Sequence, residues 1–309
     1  MLGLIISLSL AGIIILVILF ASYYAYRSSF RSGGASQVKE YFKKDKFSAT
    51  EEKTAILSKE VETDVYEDVF IKSYDGVSLH ARYYEFKKDA PVHILMHGYK
   101  GNPVLSMCGN HKIAKDLGHN VLMVDMRGCR QSGGRAVTFG IKERYDAHAW
   151  ADYVAKRSPV SRVFLVGLSL GGATVLMANT SGLPQNVCGI IADCPFSSPV
   201  KILKKVCSDK GMPKIIFPFI VLGAILYAHF NPYSCDAVSA VKAAQVPMLF
   251  IHGEKDGFVP ITMSKEIYNS AKGEKYFFTV AEADHALCYM TDSQGYENAV
   301  SEFVKKQLN

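Results

Sequence analysis

No two of the seven cysteines stand in a Cys-x-x-Cys pair, and their number is odd. A chain of 309 residues can bury a core without disulfide staples, so a reduced compartment is the simpler setting. No Gly-Lys-Ser/Thr follows a glycine-rich stretch, which removes a P-loop. No His-Glu-x-x-His occurs, and His93 and His97 are four apart on an apolar run that reads as a strand, so a metal site has little support. The net charge is only +6, with no arginine-rich helix, zinc-finger spacing or aromatic–basic ladder, which argues against nucleic acid. No cofactor or metal is expected.

Charge is also missing from the first 26 residues. Residues 2–21 are apolar apart from Ser7 and Ser9, and about 20 helical residues cross a hydrocarbon core. Tyr23, Tyr24 and Tyr26 follow, where an aromatic belt would lie. A cleaved signal peptide would want a positive leading region and a shorter apolar run. The stretch 1–26 is therefore read as an uncleaved, single-pass membrane anchor. Arg27, Arg31, Lys39, Lys43, Lys44 and Lys46 come after it and none before, which puts the rest of the chain on the cytoplasmic side. Residues 28–36, rich in serine and glycine, read as a flexible tether. The charged stretch 37–59 reads as a peripheral helix.

Downstream, short apolar runs alternate with helical periodicity. Residues 66–73 and 77–84 form a hairpin about Asp75-Gly76. Residues 92–96, 121–125, 187–193, 247–252 and 276–280 read as strands, with helices predicted over 108–117 and 145–156. This alternation predicts an α/β fold with a mainly parallel sheet covered on both faces. Ligands bind beyond the carboxyl ends of such strands.

The most informative run is Gly167-Leu168-Ser169-Leu170-Gly171-Gly172, preceded by a valine-rich strand. Gly-x-Ser-x-Gly between strand and helix lifts the serine onto a strained turn, and the flanking glycines clear the neighbouring backbone. A dinucleotide fingerprint would need glycine where Ser169 stands. The backbone N–H of Leu170 opens the following helix. A second strand ends in His97-Gly98-Tyr99, where the N–H of Tyr99 would join that of Leu170 as an oxyanion hole. The His97 side chain is read as structural, bonded beneath this loop. The loop 126–134, with Arg127 and Arg130, is likewise read as structural.

A serine hydroxyl needs a base, and that base an acid. His285 follows the last strand, and Asp256 follows the strand before it, in His252-Gly253-Glu254-Lys255-Asp256-Gly257. The order Ser169, Asp256, His285 fits one of the known triad orders. Asp193, which also ends a strand, is the reserve acid. Glu254 and Asp284 are read as solvated neighbours.

On these marks the chain resembles the α/β-hydrolase superfamily over 66–308. More narrowly it looks like the membrane-anchored bacterial members of the serine-aminopeptidase-like group. His97-Gly98 with Gly101-Asn102, Asp125 with Arg127-Gly128 and Ser132-Gly133, Gly167 to Gly172, Asp193-Cys194-Pro195-Phe196, His252 to Asp256, and Asp284-His285 carry the likeness. Cys129 departs from it, standing where a small residue or histidine is common. The resemblance implies Ser169 as nucleophile, His285 as base, Asp256 as acid, and Tyr99 and Leu170 as oxyanion donors. It also implies a helical lid over about 195–244. There, residues 200–207 read as an amphipathic helix, and 215–230 carry no charge beyond His229, with Pro218 and Gly223 as interruptions. That segment is short for a second span; its surplus of apolar side chains would line an acyl pocket or touch lipid, or else pack on the core or a partner subunit. The expected organisation is an anchor (1–26), a linker with a peripheral helix (27–60) and a hydrolase domain (61–309). The expected function is hydrolysis of a small-molecule or lipid-like carboxylic ester through an acyl-enzyme. A serine peptidase, aminopeptidase or thioesterase is the alternative. A membrane-tethered binding module is the non-enzymatic one, against which an intact triad argues.

Overall fold

The uncharged start of the chain forms one long helix, α1 (Leu2–Ser29). In this computed structural model residues 1–33 and 44–309 are described. The elements that follow are α2 (Lys44–Thr63), the hairpin β1 (Glu67–Lys72) and β2 (Ser78–Tyr84), β3 (Val92–Met96), α3 (Pro103–Asp116), β4 (Asn120–Asp125) and α4 (Glu143–Arg157). Then come β5 (Val163–Leu168), α5 (Leu170–Met177), β6 (Val187–Asp193), α6 (Pro199–Asp209), α7 (Phe217–Tyr227) and α8 (Ala237–Ala240). The chain ends with β7 (Met248–Gly253), α9 (Ile261–Ser270), β8 (Lys275–Val280), α10 (Cys288–Thr291) and α11 (Ser293–Leu308).

Among the described residues, eight strands form one sheet in the order β1-β2-β4-β3-β5-β6-β7-β8. β1 and β2 are antiparallel, turned at Gly76 with φ +78°, and β2 meets β4 antiparallel. From β4 through β8 every pairing is parallel. The expected α/β fold is therefore present, with an antiparallel hairpin at one edge. Central strands are buried on both faces, which is why they read as nearly continuous apolar runs, with His93 the one polar member of β3. In β3, Ile94 and Met96 join the core layer that holds Trp150, while Leu95 joins the opposite layer with Phe164 and Tyr296. The registers Met96↔Gly167 and Leu168↔Asp193 bring the carboxyl ends of β3, β5 and β6 level. That edge carries the functional loops.

Several boundaries differ from expectation for identifiable reasons. α3 begins at Pro103, because the Asn102 side chain accepts the Val104 N–H and proline suits a first helical turn. In the lid region, Pro218 does not interrupt α7 but occupies its first turn, where no N–H is required.

The flexible tether is the main correction. α1 continues through Ser29, and Phe30 is fully buried with its ring 5.8 Å from Phe139 and 5.2 Å from Phe230. The Phe30 carbonyl accepts the Val137 N–H at 2.8 Å, and the Ser32 N–H reaches the Arg135 carbonyl at 2.9 Å. Serine and glycine suggest flexibility only where nothing nearby needs burial. One buried phenylalanine stabilises such docking by about 1.5–3 kcal/mol. The remainder of the expected linker, residues 34–43, lies outside the described residues, and the charged helix is described from Lys44.

α7 crosses the end of α1. A Cβ on Gly223 would lie 2.4 Å from the Ser22 carbonyl oxygen, so only glycine permits this approach. Tyr227 donates its hydroxyl proton to the Leu19 carbonyl at 3.2 Å and packs edge-on to Tyr23. By contrast, every residue of α1 as far as Val17 is exposed.

Candidate active site

β5 delivers the chain into a turn that tolerates almost no side chains. A Cβ at Gly167 would sit 2.2 Å from the Gly171 backbone, and one at Gly171 would sit 2.0 Å from the Met96 carbonyl oxygen. Ser169, between them, adopts φ +54° and ψ −110°. A non-glycine residue there stores on the order of 1–3 kcal/mol of strain, held by its surroundings. Those surroundings include the Asp193 carbonyl, which accepts the Ser169 N–H at 2.8 Å.

The side chains of Ser169, His285 and Asp256 meet. His285 Nε2 lies 2.9 Å from Ser169 Oγ, and its Nδ1 lies 2.7 Å from Asp256 Oδ2. A carboxylate at Nδ1 fixes the ring proton there and leaves Nε2 to accept from the hydroxyl. Asp256 is pinned on its other side: Oδ1 accepts the Phe258 N–H at 2.9 Å and the Val259 N–H at 2.7 Å. Burial alone would raise the Asp256 pKa, but His285 and the hydrogen bonds from both histidines hold it down at about 2. The carboxylate is therefore charged at any working pH.

Two supporting residues carried no role in the sequence reading. His252 is fully buried, with Nε2 2.9 Å from the Val259 carbonyl and 3.3 Å from Asp256 Oδ2. Its position four residues before Asp256 was the available signal. Asp284, expected to be solvated, instead accepts the Gly257 N–H at 3.0 Å and the His285 N–H at 2.8 Å. It stitches the loop of Asp256 to the loop of His285. Glu254 is exposed, as expected.

The loop after β3 closes on the same point. A Cβ at Gly98 would be 3.7 Å from Ser169 Cβ, so the loop that carries Tyr99 passes directly beside Ser169. The Tyr99 hydroxyl donates to the Ser29 carbonyl at 2.7 Å, and its ring lies 5.5 Å from Phe139. Beneath the loop, His97 Nδ1 donates to the Gly98 carbonyl at 2.7 Å and Nε2 accepts the Met126 N–H at 3.1 Å. Burial lowers the His97 pKa, so the ring is a neutral brace, in keeping with its structural reading. Arg127 is also inward, paired with Asp146 at 2.6 Å and Asp75 at 2.9 Å.

Asp193 ends β6 with its carboxyl buried and set against Tyr296 and Cys288. Burial pushes its pKa up to about 6, against the pull of His252 and the hydrogen bonds from Tyr296 and Cys288. In the unfolded chain the group ionises near 3.8. Between these values the unfolded state binds fewer protons than the folded one, so stability falls as pH rises through the window. A displacement of this size is worth on the order of 3 kcal/mol. Asp193→Asn, neutral throughout, should therefore gain thermal stability relative to the wild type between about pH 4 and pH 7. Melting both proteins at the two ends checks this; parallel shifts would mean that Asp193 does not titrate there.

Cys194, Asp256 and His285 place donor atoms within 4.8 Å of one another. Both His285 nitrogens are already engaged, and burial raises the Cys194 thiol pKa far above its usual value. The set suits a proton relay and not a cation.

A family model described as the alpha/beta hydrolase fold matches residues 91–206, from β3 into α6. The chain is 25% identical over 214 residues to the uncharacterized protein YqkD of Bacillus subtilis (strain 168), covering 68% of this chain and 70% of that one. It is 26% identical over 198 residues to the lysophosphatidylserine lipase ABHD12 of Xenopus tropicalis, across 59% of this chain and 47% of the lipase. Among solved structures, the Pyrococcus furiosus esterase Pf2001 superposes with a TM-score of 0.67 at 22% identity, over 80% of this chain and 93% of the esterase. With a parallel sheet, an antiparallel leading hairpin and a strained serine turn at its carboxyl edge, this enzyme has the α/β-hydrolase fold.

Proposed function

We propose that the chain is a membrane-anchored serine hydrolase that cleaves a carboxylic ester bearing an apolar acyl group. The observation that carries this is the continuous relay from Ser169 Oγ through His285 to Asp256. Ser169 Oγ attacks the ester carbonyl carbon while His285 Nε2 takes the hydroxyl proton. The oxyanion is received by the N–H groups of Tyr99 and Leu170. The tetrahedral intermediate collapses, the bond to the alcohol breaks, and His285 returns its proton to the leaving oxygen. Water, deprotonated by the same nitrogen, then releases the acid and restores Ser169.

An apolar acyl group is favoured by the aromatic wall next to the oxyanion loop, where Tyr99 packs on Phe139, and Phe139 on Phe30 and Phe196. The lipase and esterase names of similar proteins point the same way. α1 is long and apolar enough to cross a bilayer, and Arg27 and Arg31 at its end favour the cytoplasmic side for the catalytic domain. The narrower likeness to serine-aminopeptidase-like proteins would instead favour an amide.

A series of esters from acetyl to dodecanoyl, assayed below aggregation, tests the reading. kcat/KM should climb roughly fourfold for each CH₂ that is buried, until the pocket is full. A peak at acetyl would overturn the apolar substrate, and faster turnover of aminoacyl amides would make the chain a peptidase.

A further inference from the structure

α1 divides into two parts. Residues 2–17 are exposed on all sides, while Ser22, Ala25 and Tyr26 are buried against the domain. Sixteen free residues rise about 24 Å, whereas a hydrocarbon core is about 30 Å thick. The anchor reading proposed above therefore needs roughly four more residues, 18–21, inside the apolar layer, and any tilt increases the number. α7 is fastened at that depth. Tyr227 is hydrogen-bonded to the Leu19 carbonyl, and Gly223 lies against the Ser22 carbonyl. The span cannot be completed without carrying the end of α7 to the boundary.

The exposed side of α7 suits that place. No charged residue occurs between Ile215 and Tyr227. Ile220, Gly223 and Ala224 are buried, which leaves the other side facing outward, with Ile225 44% exposed and Leu226 beside it. The turn that leads into the helix adds Ile215, 70% exposed, and Ile216. Between the helix and Tyr233 runs an apolar groove of about 450 Å³, lined by Phe217, Pro218, Val221, Leu222 and Ile225. Neither Ser169 nor His285 lines it, so it is separate from the reaction centre. Tyr23 and Tyr24 at the same end of α1 are exposed, and Arg27 and Lys214 are the first charged residues flanking the two apolar segments.

We propose that α7 is a second membrane-contacting element, seated in the acyl–headgroup boundary of the leaflet where α1 emerges. The surface it fits is the bilayer itself. A helix that offers one apolar face to a bilayer seats that face about 5–10 Å into this boundary, and α7 offers the face it does not bury against the protein. The inference rests on α1 being a membrane anchor; it does not depend on the chemistry at Ser169.

Tryptophan placed at chosen depths tests it in the full chain. The one native tryptophan, Trp150, is fully buried and gives a constant background. Variants I225W, L226W, L10W and V160W are reconstituted in phosphatidylcholine vesicles whose acyl chains carry bromine at shallow or deep positions. Circular dichroism and a cooperative thermal melt report that each variant is folded. I225W is expected to lose roughly half of its added emission to shallow bromine and less to deep bromine. L10W should respond most to deep bromine. V160W, in the exposed loop entering β5, should respond to neither. L226W replaces I225W if that variant fails to fold. Quenching of L10W without quenching of I225W or L226W overturns the inference and leaves the anchor intact. A blue-shifted but unquenched I225W also overturns it, by assigning the face to a second protein copy. Loss of quenching at L10W overturns the anchor and the inference together, whereas failure of the ester assay touches neither.

Discussion

Ser169→Ala is expected to abolish fluorophosphonate labelling and to lower ester turnover by a factor on the order of 10⁶, down to what binding and the oxyanion donors supply alone. The protein should still fold. Gly167 and Gly171 make the close approaches of this turn, and the backbone bond from the Ser169 N–H to the Asp193 carbonyl does not involve the hydroxyl. The substitution removes one hydrogen bond, to His285 Nε2, worth about 1 kcal/mol. Activity and melting temperature should therefore separate cleanly. A folded variant that is still fully labelled would place the nucleophile elsewhere and remove the basis of the proposed mechanism.

Asp256→Asn should lower kcat by about 10⁴-fold with little change in KM. The geometry gives a reason beyond the lost charge. Oδ1 is held by two backbone N–H groups, at 2.9 and 2.7 Å, and only an oxygen can accept them. An asparagine must therefore turn its NH₂ towards His285 Nδ1. That nitrogen then has to accept, which moves the ring proton to Nε2 and leaves nothing to take the proton of Ser169. The same NH₂ would face the Nε2–H of His252, 3.3 Å from the present Oδ2. Asp193→Asn leaves the His285–Asp256 contact intact and should change kcat far less. Rates falling in the opposite order would make Asp193 the acid.

The parts of the chain legible in the sequence are those whose signal is local. β3 is buried on both faces, so its five residues read as an apolar run at the positions where the strand is found. The Gly167–Gly172 turn is also local: each glycine avoids backbone only a few residues away or on the adjoining strand. The grouping of Ser169, Asp256 and His285 followed from chain order and from strands ending at one edge. Less was visible where one residue bridges distant segments. Asp284 reads as a surface acid beside His285, and nothing in its neighbours announces the Gly257 N–H 27 positions away. Phe30 sits among serines, arginines and glycines, and its socket of Phe139 and Phe230 is more than 100 residues distant. The meeting of α1 with α7 spans about 200 positions, and hydrophobic periodicity within either helix carries no record of it.

The docking of α1 also bears on how freely its sequence can be exchanged. A helix that only holds a protein to a bilayer is replaceable by any apolar stretch of similar length, and its sequence is free to drift. On the proposed anchor reading residues 2–17 meet that description, because every one of them is exposed. Residues 18–30 do not: Ser22 must leave room for Gly223, Ser29 must present its carbonyl to Tyr99, and Phe30 must fill its socket. One continuous helix thus joins an interchangeable segment to one shaped by its partners, and the border falls within the helix and not at its end.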